Sequence, residues 1–296
     1  MDGLSSAAKG GGAGKEGPRV GNRAPFWLGL PVTLVLLLFF AAPMLWIFFR
    51  TLGEDGFRYY HKFITDPFYR GILRTTVVVS LEATGISLVL GYPTAFFLAR
   101  TGSKLRNVLM IALLFPFLVS AVVRSYGWMV ILGRRGLLNS FLQSIGLIGE
   151  PLTLLNTSGA VIVGLVHLLV PYMVLSITGV LQGIDPNVEY AAASLGASPV
   201  TTFFRVVLPL SSPGVISGCI LVFILSMTSY VTPKLLGGAR LRTMSTMVFQ
   251  EINVNFNPGF AAAISYILLF VILVILILSN YATANVTNRV GGAKDG

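Results

Sequence analysis

Six apolar runs leave this chain one environment in which to fold. They cover residues 26–49, 71–99, 107–132, 157–181, 212–236 and 259–282. Each exceeds the roughly 20 residues that a helix, rising about 1.5 Å per residue, needs to cross about 30 Å of hydrocarbon. The expected fold is all-α, a polytopic membrane protein with six transmembrane helices. Only 11% of the residues are charged and mean hydropathy is +0.81, whereas soluble domains carry about 25% charged residues. The first run is longer than a signal-peptide core, and no small-residue cleavage site follows, so it reads as a retained helix.

Around these runs the chain divides simply. Residues 1–25, rich in Gly, Ala and Lys, read as a disordered cytoplasmic tail. Residues 26–283 form the six-helix transmembrane domain, and 284–296 a second cytoplasmic tail. The formal charge is +10, but the basic residues are scattered between apolar runs and form no stripe. That pattern excludes nucleic acid as a partner, and contact with anionic headgroups of a lipid bilayer accounts for it. The single cysteine, Cys219, lies inside an apolar run and reads as a small buried hydrophobe.

No cofactor is expected in this chain. "GGGAGKE" (10–16) echoes a phosphate-binding loop, but Lys9 stands at the first glycine position. Glu16 stands where Ser or Thr would hold magnesium. Any ATP and Mg are therefore bound by partner subunits. No nucleophile–base pair or metal cluster is written in the sequence, so the chain is not expected to be an enzyme.

Loop charge alone leaves the orientation open. With the N-terminus inside, ten Lys and Arg fall on the cytoplasmic side and nine outside. The basic tail and the cluster Arg100, Lys104 and Arg106 favour a cytoplasmic N-terminus. Residues 137–148, "LLNSFLQSIGLI", place Leu137, Phe141, Ile145 and Ile148 at helical spacing but are too short to span. They read as an external helix on the membrane surface, or as a cap on the core.

Between the fourth and fifth runs lies "EYAAASLGASPVTTFFRVVLPLSSPG" (189–214). Asp185-Pro186 is a helix start, with a capping side chain followed by proline. Asn187 to Leu195 can run as two turns, and Gly196 stands where a helix ends in a left-handed residue. Ser198-Pro199 repeats the start. A second short helix is expected to Val207, ended by Leu208-Pro209, with Pro213 opening the next membrane helix. The loop is either an interfacial hairpin or a dock. Ala191, Ala192, Ala193 and Gly196 leave a shallow surface that another protein's groove could take.

The stretch resembles the cytoplasmic signature loop of permease subunits in binding-protein-dependent ABC importers. That pattern is Glu-Ala-Ala, three residues, Gly, nine residues, Ile, one residue, Leu-Pro. Aligned on Gly196, it places its alanines on Ala191 and Ala192 and its Leu-Pro on Leu208-Pro209, with Ala197 just past the glycine. The family's glutamate position holds Tyr190, and Glu189 lies one residue early. The resemblance implies a type I importer permease fold with both termini cytoplasmic and a coupling loop over about 182–211. It also implies two ATPase subunits docked there, a second permease subunit (of a different chain in polyamine-type relatives), and an external or periplasmic substrate-binding protein. The location implied is the bacterial cytoplasmic (inner) membrane. "VVRSYGWMVILGRRGLLN" (122–139) and "SYVTPKLLGG" (229–238) resemble the polyamine-type branch, permeases of spermidine and putrescine importers and of other small organic compounds such as opines or amino-acid derivatives. A self-sufficient secondary transporter or channel is the alternative from a different class.

Polar groups inside membrane helices are costly and point to packing or to a path. Glu82 and Arg124 stand out, as an ion pair between helices or as groups on the translocation path. Tyr126, Trp128, Tyr172, Ser229 and Tyr230, near proline or glycine breaks, are path candidates, because aromatic faces can hold organic cations. The same residues would also serve as interfacial anchors. His167 reads as a hydrogen-bonded packing residue, and Lys234 as a snorkelling end group.

Overall fold

A computed structural model describes residues 31–53 and 56–291. The expected tail over residues 1–25 lies outside them, as do the last five residues. Two compact units are distinguished, Met1–Phe49 and Arg50–Gly296. In the first, helix α1 (Pro31–Phe49) is long and apolar enough to cross a bilayer. It widens into one π-helical turn at Leu37–Ala41.

The second unit opens with a short amphipathic helix, α2 (Gly56–Thr65). Asp66 then caps α3 (Pro67–Arg100), its Oδ1 accepting from the Phe68 amide at 2.9 Å with Pro67 in the first turn. At 34 residues, α3 is about 50 Å long and outreaches the hydrocarbon. It packs against α7 (Ser158–Gln182) and α9 (Pro199–Thr228), and these two pack against each other. The core seam is one face of α7, where Leu165, Leu169, Met173, Ile177 and Leu181 recur every fourth residue, all fully buried.

Small residues bring the three helices close. A Cβ on Gly218 of α9 would stand 2.8 Å from Met173 Sδ, and one on Gly214 would stand 2.9 Å from Val180 Cγ2. A second core gathers Phe63 of α2, Tyr69 of α3, and Met244, Met247, Phe260 and Ile264 from α11 (Met244–Asn253) and α12 (Pro258–Gly291). It holds the N-terminal end of α3, opposite the end that meets residues 182–211. Helix α12 stays helical to Gly291, past the domain end expected at 283.

The structure corrects two boundaries. The run 107–132 is not one straight span. It is α4 (Ser103–Leu118) and α5 (Ala121–Leu132), extended at Val119 and Ser120 between them, and the bend between Lys104–Leu118 and Ala121–Ser144 is 96°. Pro116 weakens the last turn of α4, and Arg124 Nη1 donates to the carbonyls of Pro116 (2.6 Å) and Val119 (3.4 Å) that the break leaves open. The described residues thus hold five long apolar helices, or six spans when the bent pair counts as one.

The second correction concerns the fifth run. The helix does not stop at Leu208-Pro209 and resume at Pro213; α9 is continuous from Pro199 to Thr228. A π-helical turn at Phe203–Val207 admits the proline, with the Leu208 amide reaching back to the Phe203 carbonyl. The wider turn gives the ring of Pro209, which has no N–H, room beside the preceding carbonyls. One turn on, the Ser212 hydroxyl donates to the Pro209 carbonyl at 2.7 Å, the acceptor that Pro213 cannot serve. At its far end α9 stops at Thr228, and Val231–Leu236 is a separate short helix, α10.

Candidate coupling loop and cavities

The loop between α7 and α9 is built by its own turn chemistry. Asp185 Oδ1 accepts from the Asn187 amide at 2.9 Å and starts α8 (Asn187–Ser194). Gly196 ends it at φ +85°. The Gly196 amide donates to Ala193 O at 2.9 Å and the Ala197 amide to Ala192 O at 3.1 Å, which is the Schellman pattern. Ser198 Oγ then accepts from the Thr201 amide at 3.2 Å and opens α9 with Pro199. The turn signals Asp185, Gly196 and Ser198 therefore sit where the sequence puts them.

None of α8 is buried. Tyr190 and Leu195 are 70% and 90% exposed, and Val200, on the first turn of α9, is exposed as well. Leu195 and Val200 escaped the sequence reading because a single apolar residue in a helical loop carries no signal. Beneath α8 lies a groove of about 390 Å³ lined by Phe96, Glu189, Tyr190, Ala193, Ala197 and Phe203. Ala192 is half-buried and Ala191 exposed, on a helix of small residues. Leu208 packs on the main core and Pro209 is exposed.

The acidic position resolves clearly. The Arg100 guanidinium, at the end of α3, pairs with the Glu189 carboxylate, while Tyr190 faces outward. Arg100 was not among the expected site residues. Its partner lies 89 positions away, and no local pattern connects them.

Two cavities meet between α5 and α7. One, about 330 Å³, is lined by Phe115, Pro116, Arg124, Trp128, Ile131 and His167. The other, about 500 Å³, adds Ile86 and Leu90 of α3 and shares Pro116, Trp128 and His167. Trp128 Nε1 donates to His167 Nδ1 at 3.2 Å. His167 is hydrogen-bonded, as expected, but it is exposed rather than packed away, and it walls both cavities.

Of the path candidates, the structure brings Arg124 and Trp128 together at one cavity, with Tyr172 near Arg124, and leaves Glu82, Tyr126, Ser229 and Tyr230 apart. Tyr172 packs on Phe117 at 4.7 Å between ring centres. Tyr126 is exposed. Ser229 ends α9, and Tyr230 stacks on Phe249 at 4.8 Å, with Lys234 also over that ring. Glu82 lies in a separate groove with Arg74, Thr75 and Ser158. The ion-pair reading of Glu82 and Arg124 is therefore corrected: no contact joins them. Arg124 meets the carbonyl end of α4, where the helix dipole favours a cation.

Known proteins agree with this architecture. Residues 87–290 match the profile of the binding-protein-dependent transport system inner membrane component. The chain is 35% identical over 272 residues to the spermidine/putrescine transport system permease protein PotB of Haemophilus influenzae, covering 89% of this chain and 91% of that protein. PotB of Escherichia coli is 36% identical over 227 residues, covering 76% and 82%. Among solved structures, a bacterial ABC transporter involved in the import of the acidic polysaccharide alginate matches with TM-score 0.69 and 18% identity. That match covers 89% of this chain and 96% of the transporter chain. The MetNI methionine ABC transporter, in an inward-facing conformation, matches with TM-score 0.53 and 19% identity over 75% and 99%. At such identities the structural matches establish the fold.

Proposed function

This chain belongs to the inner-membrane components of binding-protein-dependent transport systems, and on that premise we propose that it forms half of the translocation path for a polyamine or related small amine. An external binding protein delivers the solute. A second permease subunit, of a different chain, completes the path. Two ATPase subunits dock from the cytoplasm on α8 and its flanks, and ATP and magnesium bind there rather than in this chain. Their closure and release drive the permease pair between outward- and inward-facing states.

The observation that carries the docking is α8 itself. It is an unburied helix between two capped turns, holding Tyr190 and Leu195 outward on a surface of small residues. The polyamine assignment is supported by the identity to two spermidine/putrescine permeases over most of the chain. The aromatic wall that Trp128 gives both cavities suits an organic cation.

One observation favours a second substrate class. The charged group at the cavity is Arg124, a cation, while Glu82 lies elsewhere. An amino-acid derivative or opine-like solute would offer it a carboxylate.

The test is reconstitution in liposomes with the second permease, the ATPase subunits and the binding protein. ATP-dependent uptake of labelled spermidine or putrescine is expected. ATP-dependent uptake confined to carboxylate-bearing solutes would favour the second class. Ion-driven uptake without ATPase subunits would make the chain a self-sufficient secondary transporter or channel and overturn both.

A further inference from the structure

We propose that Arg100 is the positioning residue of the coupling loop: its ion pair with Glu189 seats α8 on the end of α3, so that a push on α8 moves α3 and α9 as one. The proposal rests on the reading that ATPase subunits dock on α8.

Helix α8 has little else to hold it. It buries no residue. Among the described residues, Arg100–Glu189 is the one side-chain hydrogen bond or ion pair linking α8 to a membrane-crossing helix. Glu189 sits in the first turn of α8, where the helix dipole favours a carboxylate and leaves its charge free to meet Arg100.

Arg100 also heads a file of contacts. Arg100, Phe96 and Tyr92 lie four residues apart on one face of α3. The guanidinium carbon stands 5.9 Å from the centre of the Phe96 ring. Phe203, in the π-helical turn of α9, meets the Phe96 and Tyr92 rings edge-on at 5.9 and 5.5 Å. Tyr92 Oη and Ser211 Oγ are 2.8 Å apart. The file runs from the docking helix through α3 into the start of α9, and the two helices it joins also form the main core. A partly exposed ion pair at the membrane edge adds little to folding stability. Its value here is geometric, because it fixes the tilt of a helix that apolar packing does not fix.

The experiment uses the assembled transporter, comparing R100E, E189R and the double exchange R100E/E189R for substrate imported per ATP hydrolysed. That ratio is insensitive to lost protein. Each single reversal should lower it about tenfold, and the double exchange should restore it to within about threefold. R100Q makes the same comparison should R100E fail to accumulate: the expected loss is again about tenfold, and R100K should retain most of the ratio. Full coupling in R100E or R100Q overturns the proposal. So does a double exchange that repairs nothing, which would show that Glu189 serves a cation outside this chain. Failure of the wild-type chain to retain ATPase subunits would sink the docking reading and this proposal with it, and is seen before any variant is compared.

Discussion

The indole of Trp128 donates to Nδ1 of His167 at 3.2 Å, joining α5 to α7 where two cavities meet. Because Nδ1 accepts, the neutral imidazole carries its proton on Nε2. Trp128→Phe keeps most of the ring surface and removes the donor. Uptake should fall about two- to tenfold, the worth of one hydrogen bond, at unchanged membrane abundance. Trp128→Phe combined with His167→Ala should be no worse than His167→Ala alone. Losses that multiply would show that the two residues act separately.

At Gly196 the requirement is conformational rather than steric. Its φ is +85°, and a Cβ there would meet nothing within 4 Å. Gly196→Asn, which tolerates the left-handed region, should keep ATPase subunits bound. Gly196→Val should release them while insertion stays normal, and Gly196→Asp should do the same despite its tolerance of that region, by adding a charge to the docking surface. Co-purification from membranes measures both outcomes. Equal binding by Asn, Val and Asp variants would show that the turn does not shape the dock.

Gly214 and Gly218 separate two kinds of close approach. An alanine at 218 would press on Met173 Sδ at 2.8 Å, a flexible side chain that can swing away. An alanine at 214 would press on Val180 and also on the backbone carbonyl of Ser176, at 3.1 Å. Gly214→Ala should therefore cost more, about 1–3 kcal/mol, and Val180→Ala should recover only part of it. Thermal aggregation in detergent ranks the variants, and a larger loss at 218 would contradict the packing.

What the sequence made legible was local chemistry and gross composition. The span count, the cap at Asp185, the left-handed Gly196 and the restart at Ser198 each depend on a residue and its own neighbours. The break at Val119–Ser120 stayed hidden because hydropathy reads composition and not direction, and both sides of the break are apolar. Pro209 read as a terminator because the π-helical turn that admits it has no sequence signature. The contacts of Arg124 are carbonyls, which every residue has, so nothing in its neighbours distinguished that partner from Glu82. Arg100 and Glu189 meet only once α3 and α8 are placed. The departure at Tyr190 was visible, but the direction in which each side chain points was not.

Asn139 is a last case of a role that only the fold exposes. It is fully buried in the short helix α6 (Leu137–Ser144), just after α5. Its Nδ2 donates to Gly133 O at 3.0 Å and Leu152 O at 2.9 Å, and its Oδ1 accepts from the Leu152 amide at 2.9 Å. One amide thus ties both ends of the segment 133–152, while Leu137, Phe141 and Ile145 stay exposed, as a helix lying on a membrane surface requires. Asn139→Leu would fill the space but leave the Leu152 amide and carbonyl without their partner, while Gly133 O keeps the Gly136 amide. Asn139→Asp keeps the acceptor and loses two donors. Each should cost about 1–3 kcal/mol locally, read as faster amide exchange across 133–152 with the exchange of α7 unchanged. Faster exchange spread evenly over α7 and α9 would instead mean that Asn139 supports the whole core.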